Sequence, residues 1–189
     1  MCGIAAYVGS PPADWPAILD AAARRGCHAY GWAVHDGTRW ARFTETETAS
    51  YAKRIPPPGI SAVVHYRLAT WGGSAPESIQ PFQRDGLVFG HNGNVPRASE
   101  LPADLLAVSD SFALFSGASG GMAEISGAVF DRLAGSNFAF VLSDGKRIIA
   151  ARHYHPLFIR RGSEVTVTSI PPDQSTGFYA LEEGQIVTL

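Results

Sequence analysis

The sequence predicts an α+β domain in which layered antiparallel sheets are covered by helices, and three observations carry this. Short β-branched or aromatic runs, separated by Gly, Pro and Asp-Gly turns, recur at both ends of the chain. Helical spacing is confined to one segment near the N-terminus and to residues 100–134, between the two sets of strands. At Asp36-Gly37 a tight turn joins two extended runs, which makes antiparallel pairing the default. Each sheet with an apolar face must bury it against another sheet or a helix.

Taken in order, residues 3–9 (GIAAYVG) form an apolar run that reads as a buried strand, stopped by Pro11-Pro12. Asp14 is placed to cap a helix over 15–25, with Pro16 tolerated in its first turn and Ile18, Leu19, Ala22 and Ala23 as its apolar face. A hairpin follows, opening at Gly31-Trp32 and returning from Arg39 to Phe43. Residues 44–54 are polar and could form a short helix, and Pro56-Pro57-Pro58-Gly59 reads as a turn. Residues 60–66 (ISAVVHY) read as a core strand. Residues 67–82, rich in Gly, Pro and Ser without a period of their own, read as a long functional loop.

A strand over 87–90 runs into His91-Asn92-Gly93-Asn94. Residues 100–107 and 109–116 read as helices, the second capped by Ser109 or Asp110. Met122, Ile125, Val129, Phe130 and Leu133 recur at helical spacing over 121–134 and form a core-facing stripe. Beyond Asn137 the chain reads almost entirely as strand, over 138–142, 147–152, 157–160, 165–168 and 185–189.

With 189 residues, 46% of them hydrophobic, the chain is long enough for one domain with a substantial core. A formal net charge of -2 gives no electrostatic reason to expect nucleic acid or an anionic membrane as partner. No apolar run approaches the roughly 20 residues of a membrane span, and no secretory leader pattern opens the chain. Cys2 and Cys27 form neither a disulfide framework nor a CxxC pair, so a cytoplasmic protein is expected. The glycines at 117–121 are not followed by GK[ST] and meet no GxGxxG pattern, so they read as a flexible break. His153 and His155 alternate on one strand face without a third ligand near them, so no metal site is expected.

Cys2 stands directly behind an initiator methionine and is small enough for Met1 to be removed. One residue would then carry both a thiol and a free α-amine. An α-amine of pKa roughly 7.7–8.0 is partly unprotonated near neutrality and can serve as a base. A thiol of pKa ~8.5 is already a good nucleophile, activated further by a base within reach. Against this stands the ordinary reading of Cys2 as a small apolar residue at the start of a strand.

The order Cys2-Gly3-Ile4, Arg25-Gly26, His65-Tyr66-Arg67-Leu68-Ala69-Thr70, Gln80-Pro81-Phe82, His91-Asn92-Gly93 and Ser109-Asp110-Ser111 resembles the class II glutamine amidotransferases. These are N-terminal-nucleophile (Ntn) hydrolases. The likeness continues through Gly135-Ser136-Asn137-Phe138, Arg152-His153-Tyr154-His155-Pro156-Leu157 and Leu181-Glu182-Glu183-Gly184. It covers residues 1–189 as a single domain and looks closest to the glutaminase domain of glucosamine-6-phosphate synthase.

The resemblance implies a four-layer αββα sandwich of two antiparallel sheets, the Ntn-hydrolase fold. It also implies hydrolysis of glutamine through a Cys2 thioester, giving glutamate and ammonia for a separate synthase subunit, with no metal or organic cofactor. In the family, the residue matching Arg67 grips the glutamine α-carboxylate, a task that suits a planar guanidinium fork. Thr70 matches a residue beside that carboxylate, and Trp71 follows it. Asp110 matches the partner of the α-ammonium, while Asn92 and Gly93 match an oxyanion hole. His65 and His91 read as structural.

Three positions depart from the family pattern: Leu68 where an aromatic is usual, Trp71 where a His is usual, and Phe112, after Ser111, where a Glu is common. The first two border the implied pocket. They leave open a hydrolase of another γ-glutamyl amide, or a catalytically silent glutamine-binding regulatory module.

Overall fold

Side chains alternate across a strand, and that alternation sets the layering here. The computed structural model describes residues 1–26, 28–46, 55–68 and 75–189. Its first half contains β1 (Gly3–Val8), α1 (Trp15–Ala23), β2 (Ala29–His35), β3 (Trp40–Glu45), β4 (Ser61–Arg67), β5 (Phe82–Arg84) and β6 (Leu87–Gly93). There follow α2 (Ala103–Leu106), α3 (Asp110–Gly117), α4 (Met122–Leu133), β7 (Phe138–Ser143), β8 (Ile148–His153), β9 (Phe158–Arg161), β10 (Val165–Thr168), β11 (Tyr179–Ala180) and β12 (Ile186–Thr188).

Among the described residues these strands make a seven-stranded sheet, β11-β9-β10-β1-β4-β2-β3, and a five-stranded one, β12-β8-β7-β6-β5. Every pairing in both is antiparallel. Three apolar clusters separate four layers. Ala5, Tyr7, Ala62, Val64 and Tyr66 of the larger sheet bury Trp15, Ile18, Leu19 and Ala22 of α1. Ile4, Ala6 and Val63 meet Val88, Ala139, Val141 and Ala150 between the sheets. Phe89, Phe138, Phe140 and Leu142 pack on Leu114, Phe115, Ile125, Val129 and Leu133 of α3 and α4. The expected αββα sandwich is present. Phe89 stacks on Phe115 with ring centroids 5.1 Å apart, and truncating such a buried ring typically costs about 3–5 kcal/mol.

Several local expectations are corrected. Asp14 makes no capping hydrogen bond. Its carboxylate instead accepts two 2.7 Å bonds from Arg160 and one from Ser175, tying the start of α1 to β9. The helix expected over 100–107 shrinks to the four residues of α2, preceded by a 3-10 turn at Ala98–Glu100, because Pro102 cannot donate within a helix. Thr44 and Glu45 belong to β3 rather than to a helix, and residues 47–54 lie outside the described residues. The short strands β5 and β11 were not expected: three and two residues are too few to show a period. Gly26 allows the chain to pass against β4, where an added Cβ would lie 2.3 Å from the Tyr66 carbonyl oxygen.

Candidate active site

Strand parity brings the site together. On β4, Val63 faces the inter-sheet layer, so His65 and Arg67 face it too. On β1, Ile4 and Ala6 face the same layer, which aims Cys2 the same way. On β6, Val88 does so, and Asn92 follows. The pairing Gly3↔Tyr66 then brings Cys2 alongside the Arg67-Leu68 end of β4. Odd-numbered residues of β6 face the helices, so His91 points to α3 while its neighbour Asn92 points to Cys2.

Cys2 is held by backbone. The Leu68 N–H donates to Sγ at 3.3 Å, and the thiol lies 3.6 Å from the Leu68 carbonyl. The Cys2 carbonyl accepts from Arg25 Nε at 2.9 Å and from Asn92 Nδ2 at 3.0 Å. Burial pushes the thiol pKa up, opposed by the Leu68 hydrogen bond and by the nearby N-terminal ammonium, Arg67 and Arg25. The resting thiol is therefore protonated at neutral pH, and nucleophilic attack from it needs a base.

Asn92 Nδ2 also donates to Ser169 Oγ at 3.1 Å, so both its hydrogens are engaged, and the Asn92 side chain is buried against His65. Gly93 closes β6 at φ +132, a conformation open to glycine and strained for other residues. Asn92-Gly93 is thus the paired end of a strand, not a free turn. Ser109, not Asp110, caps α3, its hydroxyl accepting from the Phe112 N–H at 3.0 Å. Asp110, freed from capping, accepts from the Val95 N–H at 3.2 Å and from Ser111 N–H and Oγ at 2.6 and 3.2 Å. His91 reaches the same group through Ser111, with Nδ1 2.9 Å from Oγ. Gln80 fixes the His91 backbone on both sides, at 3.0 and 2.5 Å.

Two recesses meet over the nucleophile and share Cys2, Leu68, Gly93 and Asn94. The tighter one, about 50 Å³, is also lined by Arg67, Ser78, Gln80, His91, Ser109, Asp110 and Ser111. The wider one, about 380 Å³, is lined by Met1, Asn92, Ser136, Asn137 and His155. Cys2, Arg67, Gly93 and Asp110 therefore converge on one recess, and Asn92 borders the other. Thr70 and Trp71 lie outside the described residues.

Sequence reasoning missed Ser169 and the lining roles of Gln80, Asn94 and His155. It also placed His155 on a strand face with His153. Instead β8 ends at His153, and Tyr154 at φ +61 turns the chain so that His155 enters the cleft. Among the described residues no group of three His, Cys, Asp or Glu is arranged to hold a metal ion.

The two buried histidines set an acid limit on stability. Burial lowers His65 to about 3 and His91 to about 4, so both are neutral in the folded protein at pH 7. Unfolded, each would protonate near pH 6.5. Since the folded pKa values are depressed, stability is intact above about pH 6.5 and is lost as pH falls toward 4. The expected slope is about 1.4 kcal/mol per pH unit for each histidine. Half-buried His155, shifted the same way, adds to it. Asp14, held to about 2 by Arg160, adds its share only below about pH 4. Urea titrations at pH 7.5, 6 and 5 check this, and a flat profile across that range would contradict it.

No protein-family model matches the chain. A glutamine–fructose-6-phosphate aminotransferase (isomerizing) of Rhizobium meliloti strain 1021 is 29% identical over 185 residues, covering 86% of this chain and 30% of that protein. The same enzyme of Agrobacterium fabrum is 33% identical over 119 residues, covering 59% of this chain and 19% of its own length. The chain thus spans less than a third of the curated relatives it matches. Among solved structures, the glutamine phosphoribosylpyrophosphate amidotransferase of B. subtilis superposes with a TM-score of 0.74 at 22% identity, over 99% of this chain and 47% of its own. A glutamine aminotransferase class-II domain protein from Silicibacter pomeroyi superposes with a TM-score of 0.66 at 20% identity, over 99% of this chain and 94% of that one. This chain has the sequence pattern and the fold of a class II glutamine amidotransferase domain. Within that domain, the chain start, the end of β4 and the end of β6 meet at one cleft.

Proposed function

We propose that the domain hydrolyses the side-chain amide of glutamine to glutamate and ammonia through a thioester on Cys2. The observation that carries this is the convergence of a thiol, a guanidinium and a carboxylate on one narrow recess, with Cys2, Arg67 and Asp110 all lining it. A free α-amino acid carries one carboxylate and one ammonium, and Arg67 and Asp110 complement the two. Removal of Met1 would place the α-amine on Cys2, one residue then holding nucleophile and base. Sγ attacks the amide carbon, and the thiol proton passes through the α-amine to the departing nitrogen. The C–N bond breaks and ammonia leaves. Water, activated by the same amine, then cleaves the thioester. Negative charge on the carbonyl oxygen calls for donors at Gly93 N–H and Asn92 Nδ2. For Nδ2 to serve, its bond to the Cys2 carbonyl or to Ser169 must yield.

A reactive thiol requires a reducing compartment, which favours the cytoplasm. The ammonia would pass to a synthase partner, in keeping with the names of the longer relatives. No helix among the described residues is long and apolar enough to cross a membrane.

Protein made without an N-terminal tag tests the reading by intact mass, before and after a glutamine-like chloroketone. Loss of Met1 with a single adduct on Cys2, together with glutaminase activity, is expected. Retained Met1 without an adduct or activity would overturn it. Arg67→Ala and Asp110→Asn are expected to raise the KM for glutamine about 10–100-fold with little change in kcat, because those contacts exist in ground and transition states alike. Unchanged KM in steady-state kinetics would remove the corresponding residue from the site.

A further inference from the structure

The cleft continues beyond the nucleophile. A glutamine anchored at Arg67 and Asp110 would lie along the tighter recess with its side-chain carbonyl toward Cys2 and Gly93. Its amide nitrogen, on the far side of that carbonyl, would then face the wider recess of about 380 Å³. Ammonia needs no such space, since a molecule the size of water occupies only about 30 Å³. The lining of the wider recess is more apolar than polar, and Asn94, Ser136, Asn137 and His155 are among the residues that supply its polar groups. Ser136 Oγ donates to the Leu133 carbonyl and keeps its lone pairs for a visitor. Arg25 acts on His155, and none of the described residues lining the recess is an Asp or a Glu.

The geometry points to an amine-side subsite: the domain accepts γ-glutamyl amides whose nitrogen carries a small substituent, such as γ-glutamyl amino acids. This rests on the Cys2 thioester chemistry proposed above. Sγ bonds to the carbonyl carbon of the γ-glutamyl amide, the C–N bond breaks, and the thiol proton leaves on the departing nitrogen, so a free amino acid is released in place of ammonia. Water then returns the thiol and yields glutamate.

The test uses Met1-free protein, verified by mass, with glutamine and γ-glutamylglycine assayed side by side for glutamate release. The kcat/KM for γ-glutamylglycine is expected within about 10-fold of that for glutamine. Asn137 is exposed at the rim, so Asn137→Trp should fill the recess without disturbing the core. It is expected to depress γ-glutamylglycine turnover about 10–200-fold while glutamine turnover stays within about 3-fold. His155→Leu, which removes a polar group from the same recess, should act in the same direction. Glutamine turnover with γ-glutamylglycine more than about 1,000-fold slower would overturn the subsite and leave the glutaminase reading standing. Equal losses on both substrates in both variants would also overturn it. No turnover of either substrate would overturn both readings.

Discussion

Cys2→Ala is expected to abolish amide hydrolysis while leaving the fold in place. The side chain sits ahead of β1, and its sulfur contacts the Leu68 backbone at 3.3 and 3.6 Å. Its loss removes one weakly hydrogen-bonded atom at the edge of a cleft, not a core side chain, so stability should change by less than about 1 kcal/mol. The sheet does not depend on the thiol: Gly3 to Val8 keep their pairing with Tyr66 to Ser61. Turnover, in contrast, has no other route. Without the thioester, water must attack an unactivated amide, and loss of a nucleophile typically costs on the order of 10⁴-fold or more in kcat. Ammonia release measured beside the urea midpoint separates the two effects. Glutamine should still bind by calorimetry, because Arg67 and Asp110 are untouched. A variant retaining a tenth of wild-type activity would remove Cys2 from the mechanism.

Most of the fold was legible because its elements are built from runs long enough to show a period. The strands from Ile4, Val63, Val88 and Val141 alternate cleanly between the inter-sheet layer and a helix layer. The stripe of Met122, Ile125, Val129 and Leu133 packs on the five-stranded sheet as its spacing requires. The site was legible only in part. Arg67 and Asn92 could be placed at strand ends, but parity alone does not say which strands are neighbours. β1 lies between β4 and β10, so Ile4 accepts from the Ser169 N–H, a partner 165 residues away that no local pattern marks. His155 was misplaced because a left-handed Tyr154 carries no glycine signature. Asp14 was misassigned as a cap because its partner, Arg160, approaches from a distant strand.

Gly93→Ala tests the end of β6 where fold and chemistry share an atom. At φ +132 any side chain is strained, and the new Cβ would lie 2.4 Å from the Asn137 carbonyl oxygen and 3.1 Å from the Phe138 Cα. Neither contact is with a flexible side chain, so the start of β7 must move away from β6 or the Gly93 peptide must rotate. Either movement shifts the N–H proposed to meet the developing oxyanion, and a lost donor of that type costs about 2.7–4 kcal/mol in the barrier. The expected result is a fall in kcat of about 10²–10³-fold, with about 1–3 kcal/mol lost in stability from the backbone strain. Gly86→Ala supplies the control. Its φ of +76 is also positive, but nothing lies within 4 Å of its added Cβ. Gly86→Ala should therefore lose stability to a similar backbone strain, yet keep its kcat within about 2-fold. Parallel losses of kcat in both variants would mean that the Gly93 effect is one of folding alone.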